Sequence, residues 1–360
     1  MYPENNVVEY INEDIDLSRE FNLTEPNDDF RMHRIPNAVT PPLVSEEVPP
    51  SRSLVTALEV DNTVQVQYVP QVVGHRGSLY MELENTRIGF QVSAEIGCDA
   101  VELDVFLLKC GTLVVFHGGG SDEYPGCLRD YCGIEGSILD YTAKEARQLK
   151  FNPWFEEFGC STHKIADATR SYIPTLEEVL VDAKTTGIIV KIELKGPGTA
   201  EPVLELVERL DMVDQCHYSS FDHGQLARIR ELRPERNIDG THRYKTGALF
   251  ASDLPNDFIE IARRVGASEV HLKYDTCTTH RIAKVHNAGL SSMAWFRGPI
   301  GMKEDVTYKY HDVGNEDEYM YHAVMTTGVR SMCVNRPDVL LGLLRKLKSP
   351  LLDPATWDWS

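Results

Sequence analysis

From residue 71 onward the chain repeats one unit eight times: a short apolar run, a polar turn, then a stretch with helical period. The apolar runs cover 71–74, 100–106, 188–194, 215–219, 246–250, 268–273, 291–295 and 328–334. The helix-period stretches cover 84–96, 175–186, 199–210, 223–232, 256–265, 278–288, 318–327 and 337–346. Strands that alternate with helices pair in parallel, because each helix returns the chain to the end where the next strand begins. A doubly wound sheet shares this alternation, but eight units in about 275 residues is the count of a (β/α)8 barrel. The expected fold class is therefore α/β, a (β/α)8 TIM-type barrel over 71–347. In that architecture chemistry is carried at the C-terminal ends of the strands.

The unusual side chains fall at those ends. Glu102 and Asp104 lie in the apolar run Val101-Glu102-Leu103-Asp104-Val105-Phe106. Residues two apart on a strand share a face, so two acids would sit side by side among buried neighbours and resist ionising together. A cation between them relieves that cost. Glu193, in Ile192-Glu193-Leu194-Lys195, supplies a third acid. Three hard oxygen donors without clustered Cys or His suit one divalent ion, Mg2+ or Ca2+, and not zinc. His75 and His117 each end an apolar run beside this set and form a candidate acid and base pair. Arg76 and Lys195 are candidate phosphate-site cations, which with the metal would stabilise a pentacoordinate phosphorus. Trp295, ending the seventh run, is a candidate substrate wall. His217 with Ser219, and His271 with Lys273, share strand faces and fill either the barrel or the site.

Two stretches interrupt the repeat, 118–174 and 296–318, and both leave from the end that carries the site. Loops of that length are commonly functional rims or lids. A short β-piece is expected at 112–116, a helical piece at 142–149, and a strand or hairpin at 57–69.

The formal net charge is −19, which disfavours a nucleic-acid partner because phosphate neutralisation needs clustered Lys and Arg. Residues 1–70 hold thirteen acidic residues against four arginines. With their prolines and lack of periodicity they read as an acidic extension, partly disordered or draped over the barrel. Residues 348–360 read as a C-terminal tail. The eight cysteines match no zinc spacing and suit a reducing compartment. The first residues, Met1-Tyr2-Pro3-Glu4-Asn5-Asn6, offer neither the basic nor the apolar region a signal peptide is expected to have, and no apolar run approaches about 20 residues. The expectation is a cytoplasmic protein with no transmembrane segment.

An ordered set of short motifs then identifies a family. His75-Arg76-Gly77, Glu84-Asn85-Thr86, Glu102-Leu103-Asp104-Val105 and His117 come first. Pro174-Thr175-Leu176-Glu177-Glu178, Ile192-Glu193-Leu194-Lys195, Ser219-Ser220-Phe221 and Arg336-Pro337-Asp338 follow. Over roughly residues 71–345 the chain resembles the glycerophosphodiester phosphodiesterases. The resemblance implies a phosphodiesterase barrel with catalytic His75 and His117, metal ligands Glu102, Asp104 and Glu193, and phosphate-site Arg76 and Lys195. It further implies hydrolysis of small glycerophosphodiesters to glycerol 3-phosphate and an alcohol, often through attack by the substrate's own glycerol hydroxyl. Three positions differ: His117-Gly118 where the family usually has His-Asp, Val334-Asn335 where it has Thr-Asp, and Leu108-Lys109-Cys110-Gly111 where it has Thr-Lys-Asp-Gly. His-Gly before a loop is also similar to the sphingomyelinase D-type phospholipases, which implies lysophospholipids or sphingolipids as alternative substrates. A non-catalytic barrel binding phosphorylated ligands is the remaining alternative.

Overall fold

The computed structural model describes residues 55–60, 63–118, 125–151, 171–296 and 316–348. The acidic extension up to residue 54, the tail beyond 348, and 119–124, 152–170 and 297–315 of the two insertions lie outside the described residues.

Strands β1 (Val55–Val60) and β2 (Thr63–Tyr68) pair antiparallel, where the alternation predicts a strand or hairpin. The repeat then unfolds as β3 (Gln71–Gly74), α1 (Arg87–Ile96), β4 (Ala100–Leu107), β5 (Leu113–Val115), α2 (Leu176–Thr186), β6 (Ile189–Leu194) and α3 (Ala200–Arg209). It continues with β7 (Cys216–Ser220), α4 (His223–Leu232), β8 (Thr246–Phe250), α5 (Phe258–Arg264), β9 (Glu269–Lys273) and α6 (Thr279–Asn287). It finishes with β10 (Ser291–Trp295), α7 (Glu318–Met325), β11 (Ser331–Val334) and α8 (Pro337–Lys348). The strand order is β3-β4-β6-β7-β8-β9-β10-β11, all parallel, and β11 pairs with β3. Eight parallel strands thus close into a (β/α)8 barrel. The extra strand β5 folds back antiparallel on β4, Val105 opposite Val115.

Burial on both faces explains the near-continuous apolar runs. On β4 every residue from Ala100 to Phe106 is buried. Val101, Leu103 and Val105 join Ile192, Leu194, Val203 and Val207 in the layer between sheet and helices. The alternate positions point inward, where Val73, Ala100, Met293 and Cys333 form a separate small cluster. Between β5 and α2, residues 125–151 pack through Leu128, Tyr131 and Ile138 onto Phe106, Val114 and Phe116. That second apolar cluster seats the first insertion on the outside of the β4–β5 pair.

Two quoted motifs have plain local roles. Thr175 caps α2 with a complete capping box to Glu178. Thr86 caps α1, accepting from the Gly89 N–H, so the helix begins at Arg87 and not at the predicted residue 84. Among the described residues no helix is long and apolar enough to cross a membrane.

Candidate active site

Strand register brings the acids together. Asp104 on β4 lies opposite Glu193 on β6, and Glu102 opposite Lys191. One carboxylate oxygen from each of Glu102, Asp104 and Glu193 lies within 4.8 Å of the others. Glu102 accepts from the Arg76 backbone N–H through Oε2 at 2.9 Å, while its Oε1 is buried without a hydrogen-bond partner. Asp104 accepts from Asn85 Nδ2 at 2.9 Å. Lys195 Nζ stands 3.5 Å from Asp104 Oδ1 and 3.6 Å from Glu193 Oε1. Lys191, the other strand lysine, turns instead to Glu269, 2.8 Å away.

The charges settle unequally. Burial, with Asp104 and Glu193 beside it, raises the Glu102 carboxyl well above the usual carboxylate range. Burial acts the same way on Asp104, but Lys195, His117 and Arg76 outweigh it and hold that carboxyl low. Glu193 is raised by burial despite Lys195. The cluster therefore carries more acid than its cations neutralise, and Glu102 takes the penalty. An orphaned buried oxygen facing two further carboxylates is the donor set a hard divalent ion requires, so the residues fit the group expected.

The backbone after β3 is arranged around this set. Arg76 has a left-handed φ of 52° and Asn85 one of 54°, joined by a hydrogen bond from Asn85 N–H to Arg76 O at 2.9 Å. Non-glycine residues in that region are uncommon and cost energy. Here the cost is offset by aiming the Arg76 N–H at Glu102 and the Asn85 amide at Asp104. Gly74 has no room for a Cβ, which would meet Gly77 O at 2.7 Å, and this tight approach turns the chain from β3 into the site. The Arg76 guanidinium is buried: NH1 donates to Glu84 Oε1 at 3.0 Å, and Nε lies 3.6 Å from Asp104. Glu84-Asn85-Thr86 thus divides three tasks, pairing Arg76, bonding Asp104 and capping α1.

Both histidines lie beside the acids. His75 Nε2 is 3.8 Å from Glu102 Oε2, and its Nδ1 is 2.7 Å from Asn335 Oδ1. The amide of Asn335 is anchored by Glu316, which accepts from its backbone N–H at 3.0 Å and from its Nδ2. Glu316 also accepts from Tyr321 Oη at 2.5 Å, and burial pushes its carboxyl up to about 7. Because that carboxylate takes the amide N–H, Asn335 Oδ1 is left for His75 Nδ1–H. His117 Nδ1 lies 2.7 Å from Gly118 O and 3.3 Å from Tyr131 Oη. Burial, reinforced by Arg76, lowers the His75 imidazole to about 3. Burial with Arg76 and Lys195 holds His117 well below its ordinary value. Both imidazoles are neutral near pH 7.

The remaining candidates separate. His217 and His271 surround Glu269 together with Lys191 as a network of their own. Lys273 is tied to Asp275 at 2.6 Å. Trp295 donates to Phe250 O at 3.1 Å and meets Phe221 edge-on, centroids 5.8 Å apart, at the C-terminal ends of the strands. Four side chains have partners that no local pattern gives: Glu84, whose motif is legible but not its pairing with Arg76, Tyr131 and Asn335 as groups contacting the histidines, and Glu316 as the group that holds Asn335.

Comparison with known proteins agrees with this geometry. A model of the glycerophosphoryl diester phosphodiesterase family matches residues 75–339. A glycerophosphodiester phosphodiesterase of Caldanaerobacter subterraneus is 27% identical over 280 residues, covering 76% of this chain and 98% of that protein. One from Bacillus altitudinis is 34% identical over 171 residues, 46% of this chain and 63% of that protein. The structure of an Oleispira antarctica phosphodiesterase in complex with its product sn-glycerol-3-phosphate superposes with a TM-score of 0.59. At 20% identity, over 77% of this chain and 97% of that one, it is a likeness of fold.

Proposed function

The chain belongs to the glycerophosphoryl diester phosphodiesterase family, and from that premise we propose that it hydrolyses glycerophosphodiesters to glycerol 3-phosphate and an alcohol by metal-assisted histidine acid/base catalysis. The observation that carries this reading is the convergence of Glu102, Asp104 and Glu193 oxygens within 4.8 Å beside two neutral imidazoles, His75 buried and His117 half-buried. Glu102, Asp104 and Glu193 would hold one Mg2+ or Ca2+. Bound there, the ion supplies charge to draw in a phosphate and offset the negative charge growing on it.

The chain's own residues do the rest. Lys195, anchored between Asp104 and Glu193, presents an ammonium to the phosphate oxygens. Arg76 braces the floor of the site through Glu84 and Asp104, and its charge favours the phosphate over neutral ligands. His75 and His117 carry a hydrogen on Nδ1, set by Asn335 and Gly118, so Nε2 is the nitrogen that exchanges protons. One imidazole removes the proton of the attacking hydroxyl, and the other, once protonated, returns one to the leaving oxygen. A second reading, in which the glycerol that stays on the phosphate carries an acyl chain as in a lysophospholipid, is favoured by the Phe221–Trp295 apolar wall.

The test is turnover of glycerophosphocholine with Mg2+ or Ca2+ added and then chelated, with products resolved. His75→Ala and His117→Ala should each lower kcat by about 100-fold or more with the fold retained. Near-parent turnover in either variant, or activity indifferent to chelation, refutes the mechanism. Preferential cleavage of a lysophospholipid supports the second reading.

A further inference from the structure

Gly118 stands where the family usually has Asp, and the structure gives a reason. Its φ is +83°, and a Cβ there would meet Gly126 Cα at 2.6 Å. Only glycine lets the inserted segment approach so closely. That segment brings Tyr131, a buried side chain packed edge-on against Phe116 with centroids 5.3 Å apart.

The Tyr131 hydroxyl meets three site groups. It donates to Glu84 Oε1 at 3.0 Å, receives Arg76 NH1 at 3.2 Å, and lies 3.3 Å from His117 Nδ1. A phenol has one hydrogen to give and can accept two. Its hydrogen goes to the Glu84 carboxylate, and Arg76 can only donate. The His117 contact is therefore satisfied when Nδ1 carries the hydrogen. Gly118 O, on the same nitrogen, demands the same tautomer.

We propose that Tyr131 is a positioning residue for His117. Its hydroxyl ties the imidazole to the Arg76–Glu84 pair and keeps Nε2 directed at the acid cluster, in place of the side chain that Gly118 lacks. The proposal rests on the reading of His117 as an acid/base group.

Two measurements on the full chain test it. In the parent, 15N-detected spectra of the histidine side chains should show His117 protonated on Nδ1; protonation on Nε2 overturns the proposal, whether or not the protein is a phosphodiesterase. Tyr131→Phe keeps the ring and its packing, and Glu84 keeps its hydrogen bonds from Arg76. With glycerophosphocholine as substrate this variant should lose roughly 10-fold in kcat with KM within about twofold, since the hydroxyl orients a reacting group and not the substrate. Its Nδ1–H should also exchange faster with solvent. A parent-like kcat with parent-like exchange overturns the proposal. So does a raised KM with kcat unchanged, which would place the effect on phosphate binding through Arg76. Should Tyr131→Phe not fold, the parent tautomer decides alone.

Discussion

Glu102→Gln separates a metal site from a structural acid network by the sign of its effect. Two like charges within 4.8 Å of each other at an effective dielectric of about 20 repel by roughly 3 kcal/mol or more. Lys195 offsets this for Asp104 and Glu193, but Glu102 has a backbone N–H and a neutral imidazole as its partners. Its carboxyl is consequently raised well above the usual range, first by burial and then by Asp104 and Glu193. A group whose folded pKa exceeds its unfolded value binds its proton more tightly when folded, so the metal-free protein loses stability as pH rises above the ordinary glutamate value. Glutamine keeps the shape, keeps an oxygen for the Arg76 N–H, and offers its amide hydrogens to the two remaining carboxylates. Chelated Glu102→Gln should therefore be more stable than the chelated parent, by about 1–3 kcal/mol at pH 8, with the gap narrowing at pH 5. Adding Mg2+ or Ca2+ narrows the gap or reverses the order. At about 100 times Kd the ion stabilises the parent by roughly 2.7 kcal/mol, a rise in Tm of about 5 °C for a chain of this size. The variant, one ligand short, should show little response. Thermal unfolding with and without chelator, at pH 5 and 8, reads all of these. A chelated variant less stable than the parent, or one that keeps the full metal shift, refutes the reasoning.

Three further outcomes are expected. Gly118→Ala forces a side chain into a left-handed backbone against Gly126, and should cost about 2–4 kcal/mol in denaturant unfolding while lowering turnover. Glu316 has its carboxyl pushed to about 7 from an ordinary value near 4.5, so it makes the parent lose stability as pH rises through that interval. Glu316→Gln should flatten that slope in denaturation curves collected from pH 4.5 to 7. Lys191→Met leaves Glu269 without its buried ammonium partner and should destabilise by about 3–5 kcal/mol. Turnover per folded molecule should stay within about twofold, because the Lys191 ammonium is committed to Glu269 and not to the acid cluster.

How far the site could be read from the chain depends on distance along it. Glu102 and Asp104 were legible because alternation on a strand is local: two residues apart means one face. Glu193 and Lys195 follow from the same rule on a second strand, and the strand-terminal positions of His75 and His117 are set by the apolar runs before them. The helix boundary at 84–86 was misplaced for a tertiary reason. Glu84 and Asn85 are helix-compatible residues drawn out of the helix by Arg76 and Asp104.

The sequence by itself determined the fold class and which acids and histidines stand together in the candidate site. Periods of two and 3.6 report strand and helix directly, and acids placed in apolar runs demand compensation wherever the chain takes them. Only the closed barrel decided what holds that ring in place. Asn335 reaches His75 across 260 residues of chain, and Tyr131 reaches Glu84 across 47. No periodicity encodes such meetings. They arise when β11 pairs with β3 and when a glycine at 118 lets the insertion settle against β5. At Gly118 and Asn335, beside the two histidines, the resemblance in sequence leads one to expect carboxylates. In the folded protein each comes with another polar group brought from elsewhere in the chain, Tyr131 at one and Glu316 at the other.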